Sequence, residues 1–356
     1  MAQFTVNAEQ LAEALIEDIS IGLTPMVTSS PGMGKSDIIR KVAARGKFKV
    51  IDLRVSQCEP VDMQGYPGVI LNRMTFHTPE YFPLENDELP VIPGQDPTTP
   101  TKDLKRYNGW LLFLDEFNSG NKQTEAAAYK LILDKAVYLH KLHPMCRIVA
   151  AGNLSTDRAI VNTQSTATTS RMTHYQLAIS NQAWIDWANE HGIDHRIISF
   201  IKFKPDSLHN FKPNTNELTF PCPRTWSFAS RIIKGKSSIE ELTTIRLAGT
   251  VGDAAAVELT QFSKIYQDLP TIESILANPA SGWKLPTQPD RQFAITTLLA
   301  HNANEDNMSK MITAIERLDL DFQVITFKDI YKKSPHLKGH PEIRNWVSRN
   351  ASSMFE

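Results

Sequence analysis

The chain has 356 residues, 38 Lys and Arg against 39 Asp and Glu, and three cysteines. That length supports two or three domains with sizeable cores, and a net charge of −1 excludes a global electrostatic case for a nucleic-acid or membrane-surface partner, though a local basic loop stays open. Sparse, odd-numbered cysteines speak against a disulfide framework, no C-x-x-C pair or His cluster suggests a metal site, and no signal-peptide pattern or long apolar run is present, so the expectation is a soluble, cytoplasmic protein.

Asn7 reads as an N-cap with Gln10 completing a capping box, and Leu11, Leu15 and Ile19 share one face of the helix that follows. Met26 to Thr28 close a short strand. Residues 29 to 36, Ser-Ser-Pro-Gly-Met-Gly-Lys-Ser, then match the phosphate-binding pattern G-x-x-x-x-G-K-[ST] with Ser29 in place of the first glycine. In that pattern the loop backbone (Ser30, Pro31, Gly32, Met33 and Gly34 here) wraps phosphates, Lys35 reaches the β- and γ-phosphates, and Ser36 binds Mg²⁺. A helix over Ser36–Ala44, ended by Gly46, points its positive end at the same place. The bland reading is a Ser/Gly-rich strand–helix turn with a chance lysine. Ser29 is expected to need a backbone shape that glycine takes more easily.

Lys49 to Val55 predicts a second strand, and 59–108 is a long, proline-rich irregular insertion of the kind that is functional or mobile. Trp110 to Leu114 is a continuous apolar run, the mark of a strand buried on both faces. Asp115 and Glu116 terminate it. The first carboxylate can hold Mg²⁺ and the second can orient or deprotonate an attacking water; alone, the pair would read as a solvated acidic turn. A helix follows over Lys122–Asp134, a hairpin tip over 137–144, a strand over Arg147–Ala151 and a fifth over Thr173–Ile179. Asn153 sits just past the fourth strand, where it can reach the same water or serve only as a turn residue. Beyond 181 the pattern is helical, with helices predicted at 224–233, 238–248, 253–267, 290–301, 306–318 and 341–349. Trp184 and Trp187 read as core residues of that region, and Arg158 reads as a loop arginine, either solvated or at a subunit boundary.

These segments resemble an AAA+ ATPase of the MoxR, dynein-related clade. SSPGMGKS is similar to Walker A, LLFLDEFN to Walker B and RIVAAGN to sensor 1. Thr168-Thr169-Ser170-Arg171-Met172 is similar to the arginine-finger segment and Pro223-Arg224-Thr225-Trp226 to sensor 2. The stretch from Glu59 to Pro67 looks like the start of the clade's helix-2 insertion, and the hairpin near His140 like its pre-sensor 1 insertion. The likeness covers about residues 20 to 235, and the last 120 or so residues carry no motif of a named family.

The resemblance implies an α/β fold, a P-loop NTPase αβα sandwich with a five-stranded parallel sheet, followed by a helical lid and a helical extension. The domain expectation is 1–180 for the nucleotide-binding domain (insertion about 59–108), 181–250 for the lid and 251–356 for the extension. It further implies ATP and Mg²⁺ as cofactors, Asn153 positioning the water, Arg224 reaching the γ-phosphate from the lid, and Arg171 acting in the neighbouring subunit's site. A homo-oligomeric ring, a hexamer by analogy, would then remodel a protein client, in this clade often a von Willebrand factor A-domain protein. Two alternatives stay open: a nucleotide-driven motor of a DNA-restriction system, some of which use GTP, and a slow nucleotide-gated scaffold.

Overall fold

The computed structural model describes residues 4–95, 103–154, 169–212 and 217–350 together with Pro100 and Asp157, and the backbone alone at 266 and 267. Arg158 and Thr168 lie outside the described residues. The chain divides into two compact units, Met1–Ile179 and Ser180–Glu356.

In the first unit, strands β1 (Thr5–Val6), β2 (Pro25–Ser29), β3 (Phe48–Arg54), β6 (Gly109–Asp115), β9 (Cys146–Asn153) and β10 (Thr173–Leu177) form one parallel sheet in the order β1-β10-β2-β9-β6-β3. The sheet therefore has six strands where the sequence predicts five. The addition is the two-residue β1, which pairs Thr5 with Gln176 and Val6 with Leu177. A strand that short carries no alternation to read.

The apolar run of β6 is buried on both faces because alternate side chains enter different cores. Leu111 and Phe113 pack with Val27, Val149 and residues of helices α1 (Ala8–Ser20) and α2 (Lys35–Arg45). Trp110, Leu112 and Leu114 pack instead with Ala127, Ala128 and Leu131 of α4 (Lys122–Asp134). The result is the αβα sandwich of a P-loop NTPase. Helix α1 starts as predicted, with the Asn7 side chain accepting from Glu9 and Gln10 N–H groups and the Gln10 side chain accepting from Asn7 N–H.

The insertion is more ordered than its composition predicts. A capping box between Glu59 and Asp62 opens the short helix α3 (Pro60–Gln64). An antiparallel hairpin then joins β4 (Tyr66–Ile70) to β5 (Arg73–His77) through Leu71 and Asn72, whose φ angles are 49° and 62°. Both faces of this hairpin stay wet, so the in–out alternation that marks a strand is missing from YPGVI. The predicted hairpin tip is present as β7 (Ala136–Val137) and β8 (His140–Lys141).

The second unit is helical in its described residues. Helices Asn181–Glu190, His195–Phe203, Pro223–Ile233, Glu241–Val251 and Asp253–Gln267 share one core around Phe200 and Trp226, with Trp184 buried in it and Trp187 packed against it. Helices Ile272–Ala277, Pro289–Asn302, Met308–Ile315, Leu320–Lys333 and Pro341–Asn350 surround a second core around Trp283, Phe327 and Trp346. His195–Phe203 is additional to the predicted helices. Its buried Ile197, Ile198, Phe200 and Ile201 lie at i, i+1, i+3 and i+4, so the helical period is present in the sequence over these nine residues.

Candidate functional site

Parallel strands bring their carboxyl ends to one edge of a sheet, where ligands of open α/β folds bind. Here that edge gathers the polar residues singled out in the sequence. Ser29, the last residue of β2, pairs directly with Asn153, the last of β9, and β6 beside them ends at Asp115.

The loop between β2 and α2 places its glycines where the backbone requires them. Gly32 and Gly34 have φ of 77° and 86°, the left-handed region that side-chain-bearing residues avoid. A Cβ at Gly34 would meet nothing within 4 Å, so conformation rather than space selects glycine there. Ser29 is different. It lies in the extended strand and is absent from the residues with positive φ, so the expected backbone strain does not arise.

Lys35 opens α2 yet is buried, its ammonium turned back under the loop. Nζ donates to Ser29 Oγ at 2.9 Å, Ser29 O at 3.1 Å and Asn153 Oδ1 at 3.2 Å. Next along the helix, Ser36 Oγ donates to Asp115 Oδ2 at 3.1 Å. This hydroxyl–carboxylate pair is an all-oxygen donor set of the kind Mg²⁺ accepts alongside water and phosphate oxygens. The loop, the lysine and this pair together fit a magnesium-bound nucleoside polyphosphate.

Glu116 has a left-handed backbone, φ 52° and ψ 33°, and starts a 3₁₀ turn over Phe117–Ser119. Its N–H donates to Asp115 Oδ1 at 2.9 Å, and its carboxylate accepts a hydrogen bond from the Ser56 hydroxyl just past β3. Non-glycine residues rarely hold this conformation, and they do so mostly at sites the surrounding structure over-determines.

Two positioning residues were missed in the sequence. One is Ser56. The other is Asn118, whose side chain hydrogen-bonds both backbone groups of Asn153. The approach is so close that a Cβ on Gly152 would lie 2.2 Å from Asn118 Oδ1. The available signal is Asn118, two residues past Glu116, and the small Gly152 directly before Asn153.

The two candidate arginines belong to different units. Arg171 is exposed and donates to Tyr129 OH on α4 at 2.7 Å, with its guanidinium 5.5 Å from that ring centre. Arg224 belongs to the second unit, exposed in the first turn of helix Pro223–Ile233, where Pro223 and a Cys222–Thr225 capping box set the helix start. No described helix is long and apolar enough to cross a membrane, and the described residues hold no group of three or more His, Cys, Asp or Glu able to hold a metal.

No family model and no curated protein matches this chain. Among solved structures it is similar to a Cytophaga hutchinsonii protein provisionally described as an ATPase, at 12% identity and a TM-score of 0.36, covering 92% of this chain and 81% of that one. It is similar to NtrX from Brucella abortus in complex with ADP, at 14% identity and TM-score 0.38, covering 95% and 69%. It is also similar to the Thermotoga maritima RuvB Holliday junction branch migration motor, at 12% and 0.33, covering 90% and 80%. Likeness at this level assigns no activity; the P-loop sandwich and its strand-end cluster rest on the chain's own geometry.

Proposed function

We propose that this chain binds ATP with Mg²⁺ and hydrolyses it as a member of the AAA+ ATPases, MoxR-like in type. The observation that carries the reading is the meeting of Lys35, Ser36, Asp115, Glu116 and Asn153 at the carboxyl edge of β2, β6 and β9. The bound magnesium nucleotide would supply the reactive phosphoanhydride and a cation that neutralises charge on it. The protein side of the chemistry then divides by residue. Backbone N–H groups of Ser30, Gly32, Met33 and Gly34 and the Lys35 ammonium would hold phosphate oxygens on a loop shaped by Pro31, Ser36 and Asp115 would hold the metal, Glu116 would take the proton of an attacking water, and Asn153 would orient that water.

Arg224 would sense the γ-phosphate from a helical lid. Helix Asp253–Gln267 shares the core of residues 184–251, so the lid we propose continues to 267 before the extension begins. Arg171, exposed on the first unit, would complete the site of a neighbouring copy, which makes a homo-oligomeric ring part of the mechanism and a protein client its target.

Complementation between inactive variants tests the whole reading. Glu116→Gln should bind ATP and lose turnover by about 100-fold or more, and Arg171→Ala should also be inactive. Mixed together they should regain partial activity, because some sites then combine an intact Glu116 with an intact Arg171 from the next copy. Wild-type turnover in Glu116→Gln would overturn hydrolysis at this site. A chain that stays monomeric with ATP would overturn the ring.

A further inference from the structure

Ser29 is the one departure from the phosphate-loop pattern, and its side chain has a definite task. It is fully buried, and its hydroxyl donates to Ser30 O at 2.9 Å while accepting from Lys35 Nζ at 2.9 Å. An ammonium has three N–H donors. Among the described residues, Ser29 Oγ, Ser29 O and Asn153 Oδ1 lie within 3.2 Å of the Lys35 ammonium. Ser30 O sits further out at 3.5 Å. A phosphate oxygen approaching this ammonium competes with these acceptors. The Ser29 carbonyl is fixed by the β2–β9 pairing, whereas the serine hydroxyl and the Asn153 carboxamide are side-chain acceptors that can be replaced.

We propose that Ser29 is a positioning residue whose hydroxyl holds Lys35 in the nucleotide-free site and competes with phosphate for its ammonium. Glycine in this place offers no side-chain acceptor. Hydrogen bonds from a charged donor are stronger than neutral ones, so the competition weakens phosphate binding measurably. The inference rests on the phosphate-loop reading of residues 29–36 and adds a direction to it: the hydroxyl lowers affinity for the polyphosphate.

The test is titration of the full chain with ATP and with ADP, in the presence of Mg²⁺, by calorimetry. Ser29→Ala should tighten both by several-fold, on the order of 10-fold, and Ser29→Gly should do the same should the alanine variant fold poorly. In a Lys35→Met background Ser29→Ala should change neither affinity, which a merely structural effect on the loop would not predict. Weaker or unchanged ATP binding in Ser29→Ala and Ser29→Gly overturns the proposal, as does equal tightening without Lys35. If Lys35→Met alone left ATP affinity intact, the phosphate-loop reading itself would fall, an outcome separable from the first two.

Discussion

The Asn118 carboxamide brackets the backbone of Asn153, its Nδ2 donating to the Asn153 carbonyl at 2.7 Å and its Oδ1 accepting from the Asn153 N–H at 3.1 Å. The 3₁₀ turn after β6 is thereby fastened to the end of β9, and Asn153 presents its own carboxamide to Lys35 at a fixed height. Asn118→Ala would strip partners from both backbone groups in a half-buried place. The expected cost is about 1–3 kcal/mol of stability, read by chemical denaturation, and ATP turnover should fall more than ATP affinity. Equal losses of turnover and affinity would argue that Asn118 supports the fold alone.

Ser56 captures the Glu116 carboxylate, so the proposed base is not free in the state described. Ser56→Ala removes that donor without touching the phosphate loop. Turnover at saturating ATP should rise a few-fold, while the concentration for half-saturation stays level. A fall in turnover would mean that the hydroxyl orients Glu116 for reaction instead of restraining it.

What the sequence made legible follows from how each element is buried. β6 announces itself because both its faces are covered, and α4 because an Asn121 cap and a run of alanines and leucines define it. The P-loop residues were readable because their chemistry fixes spacing along the chain. Ser56 and Asn118 were not, since each acts on a residue 60 or 35 positions away and no local pattern encodes that meeting. The β4–β5 hairpin escaped for the opposite reason: with Val69 71% and Met74 73% exposed, no buried face imposes a period. Serine in place of the first glycine predicts backbone strain, yet the left-handed positions of this loop belong to Gly32 and Gly34.

His195 and His301 line a second-unit cleft of roughly 430 Å³ with Arg196, Lys234 and Lys236, and stability is expected to depend on pH through these two rings. Burial pushes the His195 ring down to about 4 from its usual 6.5, against the pull of Asp194 and with His301, Arg196 and Lys333 adding to the effect. His301 is lowered too, by burial and then by Lys333. Between about 6.5 and about 4 the unfolded chain takes up a proton at His195 that the folded chain refuses. Stability is therefore complete above that window and falls as pH drops through it, by up to about 3 kcal/mol for His195. Urea denaturation at pH 7, 6 and 5 should show the decline, and His195→Gln should flatten it. Parallel declines in the two proteins would place the proton uptake elsewhere.

Lys202 and Asp329 form a buried ion pair between helices His195–Phe203 and Leu320–Lys333, each side chain 7% exposed. Burial raises the Asp329 carboxyl above its ordinary range, with nearby Asp186 adding to the rise while Lys202 opposes it. Taking two charges out of water consumes most of what their attraction returns, so the intact pair adds little net stability. Losing one partner is another matter. Lys202→Met leaves a carboxylate in an apolar setting and should cost about 3–5 kcal/mol at neutral pH. That cost should shrink as pH falls, because the stranded Asp329 is the group whose charged form is penalised and protonation relieves it. The double variant Lys202→Met, Asp329→Leu should recover most of the loss, since apolar contact replaces both desolvated charges. Denaturation of the single and double variants at pH 7 and pH 5 separates these terms. A double variant as unstable as Lys202→Met would show that the packing of the two helices, and not the stranded charge, dominates the loss.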